Sequence, residues 1–272
     1  MIFIPFLILA INFSVINLFG LTIIFILMRA YSAYLFKAPK NIDTFIYIFF
    51  IPEIITGPFR PYTHWSKINF NGFFNKLNLF KIIDHLIIIL FVGIFFSYLY
   101  SYTNSKIIKS LLIYLTLYYQ FRSASEIANC LSISLGQSYV KNFNSPLLAT
   151  SITDFWNRWH ISLGYFAKTH VNQLITIYLA KTGINIKLSY FISVIYTFVF
   201  IGLWHNISYS YLFFGFYFGI IIFLERIFAS TVDKIFSNFK FKDVIGIIYT
   251  QTAHLISLFI VSEYIYKILI VP

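Results

Sequence analysis

Charge is scarce in this sequence. Only 11% of the 272 residues are Asp, Glu, Lys or Arg, and just 9 of them are acidic. A typical soluble domain carries about 25% charged and about 45–50% apolar residues. Here 59% of the residues are hydrophobic. The composition therefore excludes an ordinary soluble domain and predicts a polytopic membrane protein.

Cysteine is almost absent, and its absence removes several classes of site. Cys130 is the only thiol, so neither an internal disulfide nor a cysteine-based metal site is possible. No histidine stands near Cys130 in sequence, which argues against a thiol nucleophile. The closest pair of histidines, His160 and His170, is ten residues apart and does not have the spacing of a metal site. We predict no bound metal and no bound organic cofactor.

The formal net charge of +11 is explained by lysines that separate apolar runs, as in the cytoplasmic loops of membrane proteins. We expect spanning helices at 3–28, 82–102, 107–121, 188–204, 209–228 and 245–270. Residues 1–28 carry no charge, so we expect a spanning helix, with its C-terminal end in the cytosol, rather than a cleaved signal peptide. The run 42–58 contains Pro52, Glu53, Gly57 and Pro58 and predicts a broken or re-entrant element. We predict one all-α membrane domain over residues 1–272.

The seven residues Asp154-Phe-Trp-Asn-Arg-Trp-His160 place two ionisable groups, two indoles and an imidazole in an apolar chain. A second pair, Trp204-His205, follows another apolar run. Ionisable groups at membrane depth are costly and mark functional sites. Ser151 and Asp154 predict a helix start. On one helix Asp154 would pair with Arg158, four residues on, and Trp156, His160 and Leu163 would share a side with Trp159 adjoining.

Two imidazoles in a dry site suit proton removal from a hydroxyl. A neutral histidine within about 2.6–3.2 Å of the hydroxyl can act as a general base. Burial keeps the imidazole neutral, and neighbouring indoles exclude water. The alternative for each histidine is a purely structural role, in which its imidazole forms a hydrogen bond to a neighbouring helix. For Asp154 and Arg158, an ion pair that fixes their helix is favoured over catalysis, and Arg29 could be a topological anchor.

Five segments, in this order, resemble one family. They are Met28-Arg-Ala-Tyr31, Phe49-Phe-Ile-Pro-Glu-Ile-Ile-Thr-Gly-Pro58, Lys141-Asn-Phe-Asn-Ser-Pro146, Asp154-Phe-Trp-Asn-Arg-Trp-His-Ile-Ser-Leu163 and Gly202-Leu-Trp-His-Asn206. The combination resembles the membrane-bound O-acyltransferases. The likeness is to the bacterial branch that acetylates alginate or peptidoglycan, or attaches D-alanine to teichoic acid, and it covers roughly residues 25–228.

The resemblance implies helices around a tunnel across the membrane, with short interfacial helices near two catalytic histidines. It maps the essential histidine to His205 and a second, commonly required histidine to His160. From the chemistry above, we predict that His205 is the general base and that His160 is a second positioning group or a donor to the developing oxyanion. Trp204, Trp159, Trp156, Asp154, Arg158, Asn206 and Arg29 would line the tunnel or support it.

The resemblance also implies the substrates and the location. A cytosolic thioester, acetyl-CoA or an acyl carrier protein, would donate a small acyl group to a hydroxyl of an exported polymer. A periplasmic or surface-anchored acyltransferase or esterase-like partner would complete the transfer, and the bacterial cytoplasmic membrane would hold the protein. D-alanyl transfer is an alternative. A transporter or flippase, and a shortened inactive member, remain alternatives of another class.

Overall fold

A computed structural model describes residues 15–54, 57–205, 208–236 and 239–270. The chain divides into two compact units, one of residues 1–142 with 268–272 and the other of residues 143–267. Within the described ranges the regular secondary structure is entirely helical, with no strand. The predicted all-α class is therefore confirmed. The single domain and its tunnel stay predictions.

The first unit is built around a helical hairpin. Its helices are α1 (Val15–Leu35), α2 (Ile42–Ile48), α3 (Phe73–Lys76), α4 (Leu79–Tyr102) and α5 (Lys106–Ser134), with 3-10 turns at Ile51–Glu53 and Tyr62–His64. Helix α4 packs along α5. The side chain of Asn78 accepts a hydrogen bond from the Lys81 amide at 2.9 Å, which satisfies an otherwise free donor at the start of α4.

The predicted broken element at 42–58 is present in its described part as α2 followed by the 3-10 turn that holds Pro52. Glu53 in that turn is fully buried. Its carboxylate accepts hydrogen bonds from Arg29 at 2.5 Å and Arg60 at 2.9 Å. Arg29 also donates to the carbonyl of Tyr47 at 2.7 Å. A buried carboxylate is tolerated because cations pair with it.

Arg29 therefore differs from the plain topological anchor considered from the sequence. Helix α1 continues past it to Leu35, and its side chain is fully buried rather than solvated. The predicted first span, 3–28, lies partly outside the described residues. Arg29 fastens α1 to the turn at Glu53, and it does so inside the first unit.

The second unit has three short helical pieces followed by three long helices. They are α6 (Ile152–Arg158), α7 (Ile161–Phe166), α8 (Gln173–Lys181), α9 (Ile186–His205), α10 (Tyr209–Phe236) and α11 (Lys242–Ile270), with a 3-10 turn at Pro146–Leu148 and a π-helical turn at Ala167–Asn172. Its buried apolar core joins α6, α9, α10 and α11 through Ile152, Val194, Phe218, Ile222 and Ala253.

Three described helices are long and apolar enough to cross a membrane: Leu79–Tyr102, Ile186–Leu203 and Tyr209–Phe236. Each coincides with a predicted span. Only 11% of the best window of Leu79–Tyr102 is buried inside the protein, so most of its apolar surface is available to lipid. The predicted spans 107–121 and 245–270 fall on α5 and α11, and α5 extends further, to Ser134.

Helices α9 and α10 approach each other closely through glycine. A Cβ on Gly215 would lie 2.6 Å from the carbonyl oxygen of Phe198, and one on Gly219 would lie 2.9 Å from the Cα of Ile195. Real side chains do not approach backbone atoms so closely. Gly215 and Gly219 form a small-xxx-small pair, which lets membrane helices pack backbone against backbone.

We predict that Gly215→Leu separates α9 from α10 and destabilises the protein, because overpacking a tight contact costs about 1–3 kcal/mol or more. The matched control is Phe216→Leu. It introduces the same residue at the next position, where the side chain is 41% exposed. Thermal denaturation in mild detergent should show a lower midpoint for Gly215→Leu and little change for Phe216→Leu. Equal midpoints would contradict the close packing.

Candidate functional site

Helix α6 begins where the sequence predicts. The hydroxyl of Ser151 accepts a hydrogen bond from the Asp154 amide at 2.9 Å. The Asp154 carboxylate reaches back to accept one from the Thr150 amide at 3.2 Å. These two bonds resemble a capping box, in which a hydroxyl residue and an acid satisfy amides at the helix start. The position of the helix is thus fixed locally before any tertiary contact.

A carboxylate from α10 provides a second cap for α6. Glu225 accepts hydrogen bonds from the amides of Ile152 at 2.7 Å and Thr153 at 2.8 Å, and from the Thr153 hydroxyl at 2.6 Å. The side chain of Tyr249 on α11 also lies close to this carboxylate. Negative charge is favoured at a helix N-terminus because the backbone donors and the helix dipole both point there. Glu225 therefore joins α6 to two long helices.

Sequence reasoning missed Glu225. The sequence did indicate a polar contact here, because Glu225 is a carboxylate within the apolar run of a spanning helix. Such groups mark polar contacts in membrane proteins. What the sequence did not contain was the partner, which lies about seventy residues away.

The predicted pair of Asp154 and Arg158 forms. Arg158 Nε donates to Asp154 Oδ1 at 2.8 Å across one helical turn, with both side chains about one third exposed. An exposed pair of this kind contributes about 0.3–0.5 kcal/mol. The contact therefore fixes the outer face of α6.

One prediction for this segment is wrong. The sequence suggested one helix carrying Trp156, His160 and Leu163 on a shared side, but the helix ends at Arg158. Trp159 is extended and His160 adopts a left-handed conformation with φ 44°. The amide of Asn144 then donates to the carbonyl of Arg158 at 2.9 Å. The chain turns because the loop supplies the donor that a continuing helix would have supplied.

The conformation of His160 carries strain. A non-glycine residue at positive φ is uncommon, and such positions cost about 1–3 kcal/mol and concentrate at functional sites. Ser145, in the loop that bonds to the end of α6, is also left-handed, with φ 47°. Surrounding contacts must therefore hold His160 in place.

The two indoles of α6 lie in different aromatic contacts. Trp156 packs edge-on against Phe198 at 5.3 Å and Phe218 at 5.1 Å, from α9 and α10. Trp159 stacks on Phe155 at 5.5 Å and meets Phe143 edge-on at 5.2 Å. Trp156 thus fastens α6 to the long helices, and Trp159 packs towards the loop.

His160 is 5% exposed. It lies outside the three spanning helices, and burial lowers the pKa of its imidazole to about 3, with the nearby His205 lowering it further. A charged imidazole is disfavoured both by burial and by a second cation. The structure therefore keeps His160 neutral at physiological pH and brings it within electrostatic reach of His205.

His205 is the last residue of α9. Its side chain is exposed, and its ring lies 6.0 Å from the ring of Tyr211 on α10. The helix also includes Trp204, whose side chain lies outside what the structure describes, and Asn206 lies outside the described residues.

The structure places most of the described candidate site residues in the second unit, namely His160, His205, Trp156, Trp159, Asp154 and Arg158. Arg29 belongs to the first unit.

A third histidine also contacts this site. His254 on α11 is buried, and its ring centroid lies 3.6 Å from that of Phe155 and 4.9 Å from that of Phe218. The sequence around it contains no motif that indicates a function. It lies within a helix, and no local motif indicated that its partners would be the aromatic residues of α6.

The fold and this site define an all-helical membrane protein in which two Trp-His segments belong to one compact unit. The chain is 27% identical over 142 residues to the teichoic acid D-alanyltransferase of Bacillus subtilis, covering 46% of this chain and 36% of the relative. It is 26% identical over 153 residues to the peptidoglycan O-acetyltransferase of Helicobacter pylori, covering 50% and 29%.

A shorter match has a higher identity. Over 55 residues the chain is 40% identical to the probable alginate O-acetylase AlgI of Azotobacter vinelandii, covering 20% of this chain and 11% of the relative. No family model matches the chain. These relatives are membrane-bound O-acyltransferases, so the resemblance drawn from the motifs is confirmed. The matched part covers at most 36% of the length of these relatives.

We predict that Glu225→Ala destabilises the second unit by about 2–4 kcal/mol, because it leaves two helix-start amides without their charged acceptor. The control is Asp233→Ala on the same helix. Asp233 is 70% exposed and pairs with Lys242, so its loss should cost less than about 1 kcal/mol. Thermal denaturation in detergent compares the two. Equal effects would show that the Glu225 cap adds no more than a surface pair.

Acid should destabilise the protein through His160. Its pKa is about 3 when folded and 6.5 in the reference state, so only the unfolded chain takes up the proton between these values. Stability is therefore complete above pH 6.5 and falls as the pH falls, by about 2 kcal/mol at pH 5. His160→Gln should reduce the drop in denaturation midpoint between pH 7.5 and pH 5. The exposed His64→Gln is the control and should keep the full drop. A drop unchanged in His160→Gln would refute a buried neutral imidazole.

Proposed function

We propose that the protein is a membrane O-acyltransferase that moves a small acyl group, acetyl in the simplest case, from a cytosolic thioester to a hydroxyl of an exported polysaccharide or wall polymer. The observation that carries the proposal is the buried His160 imidazole, held at a left-handed turn in the same compact unit as His205. Each imidazole ends a Trp-His segment, and the relatives that share sequence with the chain are named as acyltransferases.

The chemistry assigned to His205 is general base catalysis. One imidazole nitrogen accepts the proton of the acceptor hydroxyl as its oxygen attacks the thioester carbonyl. The carbon–sulfur bond then breaks, and the thiolate leaves with the proton that the imidazole returns. No bound metal or organic cofactor takes part, and the thioester, acetyl-CoA or an acyl carrier protein, is a substrate.

His160 would support the same reaction from the other Trp-His segment. A neutral imidazole can donate an N–H to the oxyanion that develops on the carbonyl, which is stabilised most in a site without water. Trp156 and Trp159 pack against neighbouring aromatic rings beside this segment. Asp154 and Arg158 act through the helix they fix rather than by touching the substrate.

D-alanyl transfer is the second candidate for the acyl group. It is favoured by the match to the teichoic acid D-alanyltransferase, which covers 46% of this chain, whereas the alginate match, although higher in identity, covers only 20%. The location proposed for either reaction is the bacterial cytoplasmic membrane, crossed several times. A periplasmic or surface-anchored acyltransferase or esterase-like partner would pass the acyl group to the polymer.

We predict that His205→Ala lowers acyl transfer by about 10²–10⁴-fold, which is the usual contribution of a general base. The purified protein in detergent is incubated with radiolabelled acetyl-CoA or alanyl carrier protein, and both thiol release and acyl transfer to a polymer hydroxyl are measured. The exposed His64→Ala is the matched control and should retain the wild-type rate.

Equal rates in wild type and His205→Ala would remove the enzyme assignment. Passage of a substrate across reconstituted vesicles that survives His205→Gln would favour a transporter instead. Normal membrane insertion with no measurable transfer by the unmutated protein would favour a non-catalytic member.

A further inference from the structure

Helix α11 lies beyond the residues that resemble the family, yet it contacts the Trp-His segment at several points. A Cβ on Gly246 would lie 2.9 Å from the Cβ of Thr150 just before α6, so the two backbones are close. Gln251 donates to the carbonyls of Leu147 at 3.1 Å and Pro146 at 3.4 Å. The helix therefore holds the loop that leads into α6 as well as α6 itself.

His254 is where this helix meets the aromatic residues of the site. It lies two turns beyond Gly246 and is 5% exposed. Its ring centroid is 3.6 Å from that of Phe155 with an interplanar angle of 37°, and 5.8 Å from that of Trp156. No other residue of α11 has a recorded ring contact with α6 among the described residues.

The contact of His254 continues through a series of rings to His160. Phe155 stacks on Trp159 at 5.5 Å and 17°, and Trp159 meets Phe143 edge-on at 5.2 Å. The Phe143 ring lies 6.3 Å from the imidazole of His160. We call these five residues, His254, Phe155, Trp159, Phe143 and His160, the aromatic stack. Such ring pairs have preferred geometries and so transmit orientation as well as burial.

The backbone of His160 shows why such support matters. At φ 44° it occupies a conformation that its own side chain disfavours. Strained positions persist only where surrounding structure determines them. The aromatic stack reaches this residue, and His254 closes its far end.

We propose that His254 is a positioning residue, which acts through the ring stack to hold the His160 imidazole in its working orientation. Only the predicted change in kcat rests on the proposed acyl transfer. His254 touches neither donor nor acceptor. Its contribution is the flat ring against Phe155, so another flat ring should replace it and a side chain without a ring should not.

The test uses the full-length protein in detergent with the variants His254→Phe, His254→Ala and His254→Asn. Ser257→Ala is the control, because Ser257 is also buried on α11 and bonds only to the carbonyl of His254. Fluorotryptophan replaces the four tryptophans, and their fluorine resonances are assigned by single Trp→Phe replacements. The kcat and KM for acetyl-CoA are measured in parallel.

His254→Ala and His254→Asn should shift or broaden the resonances of Trp156 and Trp159 and leave Trp65, in the first unit, in place. Their kcat should fall at least tenfold with KM within twofold. His254→Phe should restore both the resonances and kcat to within about twofold of the wild type, and Ser257→Ala should change neither.

An unmoved Trp159 resonance in His254→Ala, or a His254→Phe variant as impaired as His254→Ala, would overturn the proposal. If the wild type transfers no acyl group, the proposed function fails. The fluorine resonances still decide whether His254 orders the stack, so the two failures are distinguishable.

Discussion

The hydrogen bonds from the start of α6 to the Glu225 carboxylate are the constraint on which the rest of the site depends. A seven-residue helix is too short to be stable alone. Here its first amides bond to the Glu225 carboxylate on a long apolar helix at 2.7 and 2.8 Å. The attraction between a helix N-terminus and a carboxylate is strengthened where water is scarce. A short polar helix is thereby held against α10.

From this anchored start, the course of the chain leads to the left-handed turn at His160. Because α6 is fixed at its first residues, and the Asn144 amide bonds to its last carbonyl, the helix cannot extend through the imidazole. His160 is instead buried with neutral charge and within electrostatic reach of His205 at the end of α9. The tight glycine contacts between α9 and α10 fix the helix that carries His205 relative to the one that carries Glu225. The Glu225 cap of α6 and the close packing of α9 on α10 thus fix the segments that carry His160 and His205, which are forty-five residues apart in sequence.

Local features of this architecture could be predicted from the sequence, and long-range ones could not. Ser151 as the helix cap, the Asp154–Arg158 pair and the long apolar helices each depend on spacing within a few residues. The turn at His160 could not be predicted, because the donor that ends the helix comes from Asn144. Glu225 and His254 lie far from α6 along the chain, and Arg29 resembled an anchor until Glu53 proved to be its partner. Such pairings require the fold itself.

The central claim is that the two Trp-His segments place positions 160 and 205 beside each other in the folded protein. The most direct measurement is cross-linking in membranes with a short bifunctional thiol reagent, using cysteines at both positions in a Cys130→Ser background. Cysteine at position 160 with cysteine at the exposed position 178 is the reference pair, because Tyr178 lies on α8 and is 67% exposed. The account predicts efficient cross-linking of 160 to 205 and little of 160 to 178. Equal yields for the two pairs, or no product for 160 and 205, would contradict it.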